Sequence, residues 1–183
     1  MQYDNKPPLR GKEFGAFLTS VSANIWHKDY PRNLDPNFMS EKKNEPMLRY
    51  TARCLASLLT PDDDVCAIVA RHENINEPLG VALKEILPDV PLVKIGMGNG
   101  GLQVFKGKPK KQKSTFVMVR GVLNPQSGII NPEGRLLEKA FSQNLKLLVL
   151  SIIDATEKWQ FEWSPIPLER RSLMHIPVGK KLK

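Results

Sequence analysis

Two short polar clusters directly follow apolar runs of strand length. Arg71-His72-Glu73 follows the run 65–70, and Asp154 with Thr156 follows the run 145–153. An imidazole beside a carboxylate is an acid–base pair in outline, because an unperturbed histidine changes charge near neutral pH. His72 with Glu73 or Asp154 is therefore the candidate catalytic set, and Arg71 is the candidate anchor for an anion. Gly96 and Gly98, Gly100 and Gly101, after a third apolar run, would add backbone amides for phosphate. In parallel α/β sheets ligands bind beyond the carboxyl ends of the strands, so groups that follow parallel strands gather on one side of the sheet. The plainer alternative is that polar residues follow strands wherever strands meet solvent.

A second chemistry lies in the distribution of charge. Residues 106–120 carry Lys106, Lys108, Lys110, Lys111, Lys113 and Arg120 with no acid. Residues 170–183 carry Arg170, Arg171, Lys180, Lys181 and Lys183, again with no acid. The other residues hold 16 basic and 19 acidic side chains, so the net charge of +8 resides in a loop and a tail. That build suits contact with a polyanion, each neutralised phosphate adding salt-dependent affinity. Lys110-Lys111-Gln112-Lys113 also has the form of a short nuclear-import peptide. Against both stands a solvated loop whose lysines keep a sheet edge from pairing with other chains.

Three further patterns are weaker. Trp159, Phe161 and Trp163 alternate with polar residues, a row that would stack unpaired bases if exposed and form core if buried. Gly96-x-Gly98-x-Gly100 has no helix after it, so Asn99-Gly100 reads as a hairpin turn rather than a phosphate loop. Asp62-Asp63-Asp64 follows Thr60-Pro61 and reads as a helix-ending turn. Cys54 and Cys66 form no paired ligand pattern and His27, His72 and His175 lie far apart, so neither a metal nor another cofactor is expected.

These groups are positioned by elements whose period is legible. Residues 12–26 and the segment from Pro46 to Leu59 carry apolar residues at helical spacing. Strand, helix and strand follow over 65–70, the segment opened by Pro78, and 91–97. A hairpin strand at 102–105, a strand at 115–123, a helix capped by Asn131-Pro132-Glu133 and a strand at 145–153 complete a second βαβ unit. The expectation is a single α/β domain over 12–163: a mixed sheet with two βαβ units, flanking hairpins and two N-terminal helices. A flexible 1–11 and a basic, proline-containing tail 164–183 complete the chain. The first twelve residues lack the apolar core of a signal peptide, and no apolar run reaches membrane length, so a cytoplasmic protein (or a nuclear one, given the lysine peptide) is expected.

The order two helices, strand, loop, helix and Pro91-Leu92-Val93-Lys94-Ile95 resembles the opening of a type I phosphoribosyltransferase. That family is marked by paired acids followed by Thr-Thr-Gly, or a close variant, after a central strand. The nearest segment here, Ile152-Ile153-Asp154-Ala155-Thr156, has one acid and no Thr-Gly, so the resemblance carries element order and no residue roles. The leading reading is a nucleic-acid-binding protein within a larger assembly, its loop and tail contacting phosphates. The alternatives are a small enzyme acting on a nucleotide or phosphorylated metabolite at the strand ends, and a non-catalytic subunit docking on an acidic protein.

Overall fold

The computed structural model describes residues 45–72, 76–123, 131–141, 144–154 and 166–175. The helix expected at 12–26, Glu73, Thr156, the Trp159, Phe161 and Trp163 row, and Lys180, Lys181 and Lys183 lie outside the described residues. Helix α1 (Glu45–Ala56) buries Thr51, Ala52 and Leu55 and leaves Arg49 exposed, as its amphipathic spacing requires. It stops where Thr60-Pro61 enters a 3-10 turn, Pro61–Asp63, in which the Thr60 N–H donates to Asp63 Oδ2 at 2.5 Å. Asp64 then takes a left-handed conformation (φ 46°) and turns the chain into the sheet.

Strands β1 (Val65–Arg71), β2 (Leu92–Gly98), β3 (Gly101–Lys106), β4 (Thr115–Leu123), β5 (Lys146–Asp154) and β6 (Leu168–His175) form one sheet in the order β3-β2-β1-β4-β5-β6. All neighbours run parallel except β3, which returns antiparallel to β2 through Asn99-Gly100. Helix α2 (Asn76–Ile86) joins β1 to β2, and α3 (Asn131–Phe141) joins β4 to β5. The chain thus winds outward one way from β1 and the other way from β4. Right-handed crossovers wound in opposite directions place their helices on opposite faces. Accordingly α1 and α2 cover one face, with Leu55, Leu79 and Leu83 on Ile68, Val117 and Leu148. Helix α3 covers the other, with Leu137 on Val69, Met118 and Val149.

Strands β1 and β5 are almost wholly buried because both faces are covered. Gly80 lets α2 lie close: a Cβ there would stand 2.8 Å from Ala70 Cβ. The buried Asn76 side chain accepts the Gly121 N–H at 3.0 Å, tying the start of α2 to β4. These two contacts fix where α2 begins above the sheet, and hence where its first turn faces.

One edge differs from expectation. Only the β2–β3 side ends in a hairpin among the described residues; β6 lies parallel to β5. Thirteen residues separate Asp154 from Leu168, and a parallel pair needs a crossover of about that length. The segment 168–175, assigned to the tail by its charge, is therefore an edge strand of the sheet. Its arginines are accommodated because acidic partners meet them, as described below. No helix among the described residues is long and apolar enough to cross a membrane.

Candidate functional site

The strand order reverses between β1 and β4, which places the crevice of this sheet outside their carboxyl ends. Val69 is opposite Met118, and the same register two residues on sets Arg71 beside Arg120. Arg120 is opposite Ser151 of β5. Val69, Met118 and Val149 belong to the core beneath α3, so alternation directs Arg71, Arg120 and Ser151 to that same face. There they meet Glu133, the third residue of α3, whose side chain is fully buried. Arg120 Nη2 donates to Glu133 Oε1 at 2.6 Å, and Arg71 Nη1 donates to the same oxygen.

Two guanidiniums on adjacent central strands would repel each other, and the carboxylate between them makes the arrangement tenable. The first turn of α3 also favours a negative group at Glu133. Glu133 Oε2 and the Ser151 hydroxyl, both buried in the same region, have no hydrogen-bond partner among the described residues. A buried polar atom left unpaired costs on the order of 1–3 kcal/mol, so this is where a ligand hydroxyl or a water would be held.

On the opposite face His72, exposed, directly follows β1. Its Nδ1 lies 2.5 Å from Glu77 Oε2, while Lys94 Nζ donates to Glu77 Oε1 at 2.8 Å. The Lys94 hydrogen bond is the main reason the Glu77 carboxyl sits below its ordinary range; burial opposes it and His72 adds to it. Glu77 therefore stays ionised and fixes the imidazole by one nitrogen. His72 and Asp154 are not brought together. They end strands two places apart, about 10 Å at the ordinary strand spacing. Asp154 is buried and instead accepts from Arg170 Nη1 at 3.1 Å.

The described basic residues do not share a surface. The β3 strand runs back toward the amino ends of the parallel strands, so Lys106, Lys108, Lys110, Lys111 and Lys113 lie at the end opposite the crevice. That loop is tied down: the Lys110 N–H donates to Cys66 O at 2.9 Å, the Ser114 N–H donates to Asp64 Oδ2 at 3.2 Å, and Lys113 Nζ stands 3.5 Å from Asp64. Arg120 is buried on Glu133, and Arg170 is on Asp154.

Arg171 makes two 2.7 Å hydrogen bonds to Asp63, one to Leu58 O and one to Glu169. That guanidinium holds the Asp63 carboxyl down at about 2 although burial works the other way, and its own pKa is raised in return. Cys66, buried in β1, has its thiol pushed up to about 12 by desolvation. It is a core residue rather than a nucleophile.

No family model matches the chain, and no curated protein matches it. Solved structures do. Leishmania donovani UMP synthase is 14% identical, with a TM-score of 0.57 over 88% of this chain and 37% of that one. Orotate phosphoribosyltransferase from Aeropyrum pernix is 10% identical, with a TM-score of 0.51 over 88% and 93%. Adenine phosphoribosyltransferase from Thermoanaerobacter pseudethanolicus is 15% identical, with a TM-score of 0.49 over 73% and 83%. The chain has a phosphoribosyltransferase-like fold. It spans little more than a third of the UMP synthase, and nearly all of the orotate enzyme.

The nucleic-acid reading is corrected by these findings, together with its keywords and partner. The fold is shared with phosphoribosyltransferases rather than with nucleic-acid-binding proteins, and the eleven basic groups invoked for phosphate contact do not form one face where they are described. Asp154, the acid compared with that family's mark, ends β5, next to the edge, and not either of the central strands β1 and β4. Sequence reasoning had Arg71 and His72 at the strand ends but not Glu133 or Glu77. Glu133 read only as a helix-start residue, because its two partners lie 62 and 13 residues away. Glu77, five residues after His72, was the nearer signal.

Proposed function

We propose that this protein binds a small phosphorylated ligand, a nucleotide or a phosphorylated metabolite, and acts on it in the crevice outside the carboxyl ends of β1 and β4. The observation that carries the reading is the pair of guanidiniums, Arg71 and Arg120, held side by side at the point where the strand order reverses. Arginine presents a planar fork of donors that matches phosphate oxygens, and Arg71, the less buried of the two, is the group that meets the ligand. His72, adjacent to it and oriented by Glu77, serves as the general acid or base. Asp154, held by Arg170, is a further described carboxylate at this end of the sheet. Two free cysteines suit a cytoplasmic setting.

The test is a thermal-shift screen of nucleotides and sugar phosphates at millimolar concentration, followed by calorimetry on any hit. Binding that weakens in Arg71→Gln supports the site. With a substrate found, His72→Ala should abolish turnover while leaving the affinity within a few-fold. If no phosphorylated compound raises the melting temperature, the reading is wrong.

A further inference from the structure

We infer that the crevice takes the phosphate or pyrophosphate of its ligand directly on guanidinium groups, with no divalent cation between them. This rests on the site proposed above and adds to it a statement about charge. A dication bridging phosphate to protein needs carboxylate oxygens facing the crevice. Each described carboxylate at this end is already engaged by cationic groups: Glu133 by Arg71 and Arg120, Glu77 by Lys94 and His72, and Asp154 by Arg170. A metal at the remaining oxygen of Glu133 would bring two more positive charges onto the one buried carboxylate that already separates two guanidiniums. Among the described residues no three His, Cys, Asp or Glu side chains converge.

An anion meets the opposite situation. Arg71 and Arg120 stand on neighbouring strands, and Glu133, anchored in the first turn of α3, brings both guanidiniums onto one carboxylate oxygen. An eleven-residue helix begins at the same end, and its first N–H groups favour negative charge. The unpartnered Glu133 Oε2 and Ser151 hydroxyl are an acceptor and a donor for hydroxyls carried by the ligand or by a water accompanying it.

Inorganic pyrophosphate is the probe, titrated calorimetrically into the full chain in EDTA and again in excess magnesium. Binding in EDTA at least as tight as in magnesium is expected, because complexed pyrophosphate carries less negative charge. Arg71→Gln should weaken it tenfold or more, and Arg71→Lys should recover part of that loss. Replacing Lys108, Lys110 and Lys111 by glutamine should leave it within twofold, which places the anion at the crevice and not at the basic loop. Binding seen only with magnesium would overturn the inference and leave the phosphate site standing. Failure of pyrophosphate in both buffers, together with a blank nucleotide screen, would overturn both. Binding abolished by the lysine substitutions but indifferent to Arg71 would relocate the anion and overturn both as well.

Discussion

The two ends of the sheet carry positive charge in different ways. At the amino ends Lys106 closes β3 and four more lysines sit on the loop after it, with Lys106, Lys108 and Lys111 exposed. At the carboxyl ends Arg71 and Arg120 are drawn inward onto one fully buried carboxylate. The residue types explain the contrast. An ammonium is a compact, strongly hydrated charge that stays in water on its flexible stem, whereas a guanidinium is weakly hydrated and can be buried if its donors are met. Net charge counts both ends alike, yet only the buried arginines are held in a geometry that a ligand could exploit.

The largest test of this contrast removes the carboxylate that makes the carboxyl end tenable. Glu133→Leu should cost about 3–5 kcal/mol by urea denaturation, as expected when one partner of a buried ion pair is lost. A loss below about 1 kcal/mol would mean that the arginines are solvated much as the lysines are.

Next in size is the lock on β6. Asp63 titrates at about 2 when folded against 3.8 ordinarily, so its contribution is present above the unfolded value and lost as pH falls from about 4 through 2. That is worth about 2 kcal/mol. Thermal unfolding of Asp63→Asn should start from lower stability at pH 7 and show a shallower acid slope than the parent. Parallel slopes would remove Asp63 as the cause.

Smaller again is the binding effect at the crevice. Arg71→Gln should raise the dissociation constant of a phosphorylated ligand about tenfold, or about 1.4 kcal/mol, read by calorimetry. The smallest effect belongs to the amino end: Lys108→Gln, Lys110→Gln and Lys111→Gln should each shift stability by less than about 0.5 kcal/mol. A larger change in chemical denaturation would show that the loop contributes more than solvation.

The apolar character and length of 65–70 and 115–123, the Asn99-Gly100 turn and the Asn131-Pro132 helix start were readable because each depends on neighbours within a few residues. Two βαβ units, and with them the side of the sheet on which His72 and Asp154 should emerge, followed from that local order. The edge strand 168–175 was not readable as a strand. Its Arg170 and Arg171 look like a solvated tail until Asp154, 16 residues away, and Asp63, 108 residues away, are placed against them.

The sequence by itself determined the α/β class, the helix and strand sites and the presence of polar groups after apolar runs, since these arise from periodicity and from turn and capping chemistry. Only the tertiary structure decided that β4 lies beside β1, that Arg71 and Arg120 therefore share Glu133, and that the lysines stand at the other end of the sheet. Strand order is set by long-range packing of two covered faces, and apolar runs as alike as these leave no local mark of which strand will be the neighbour.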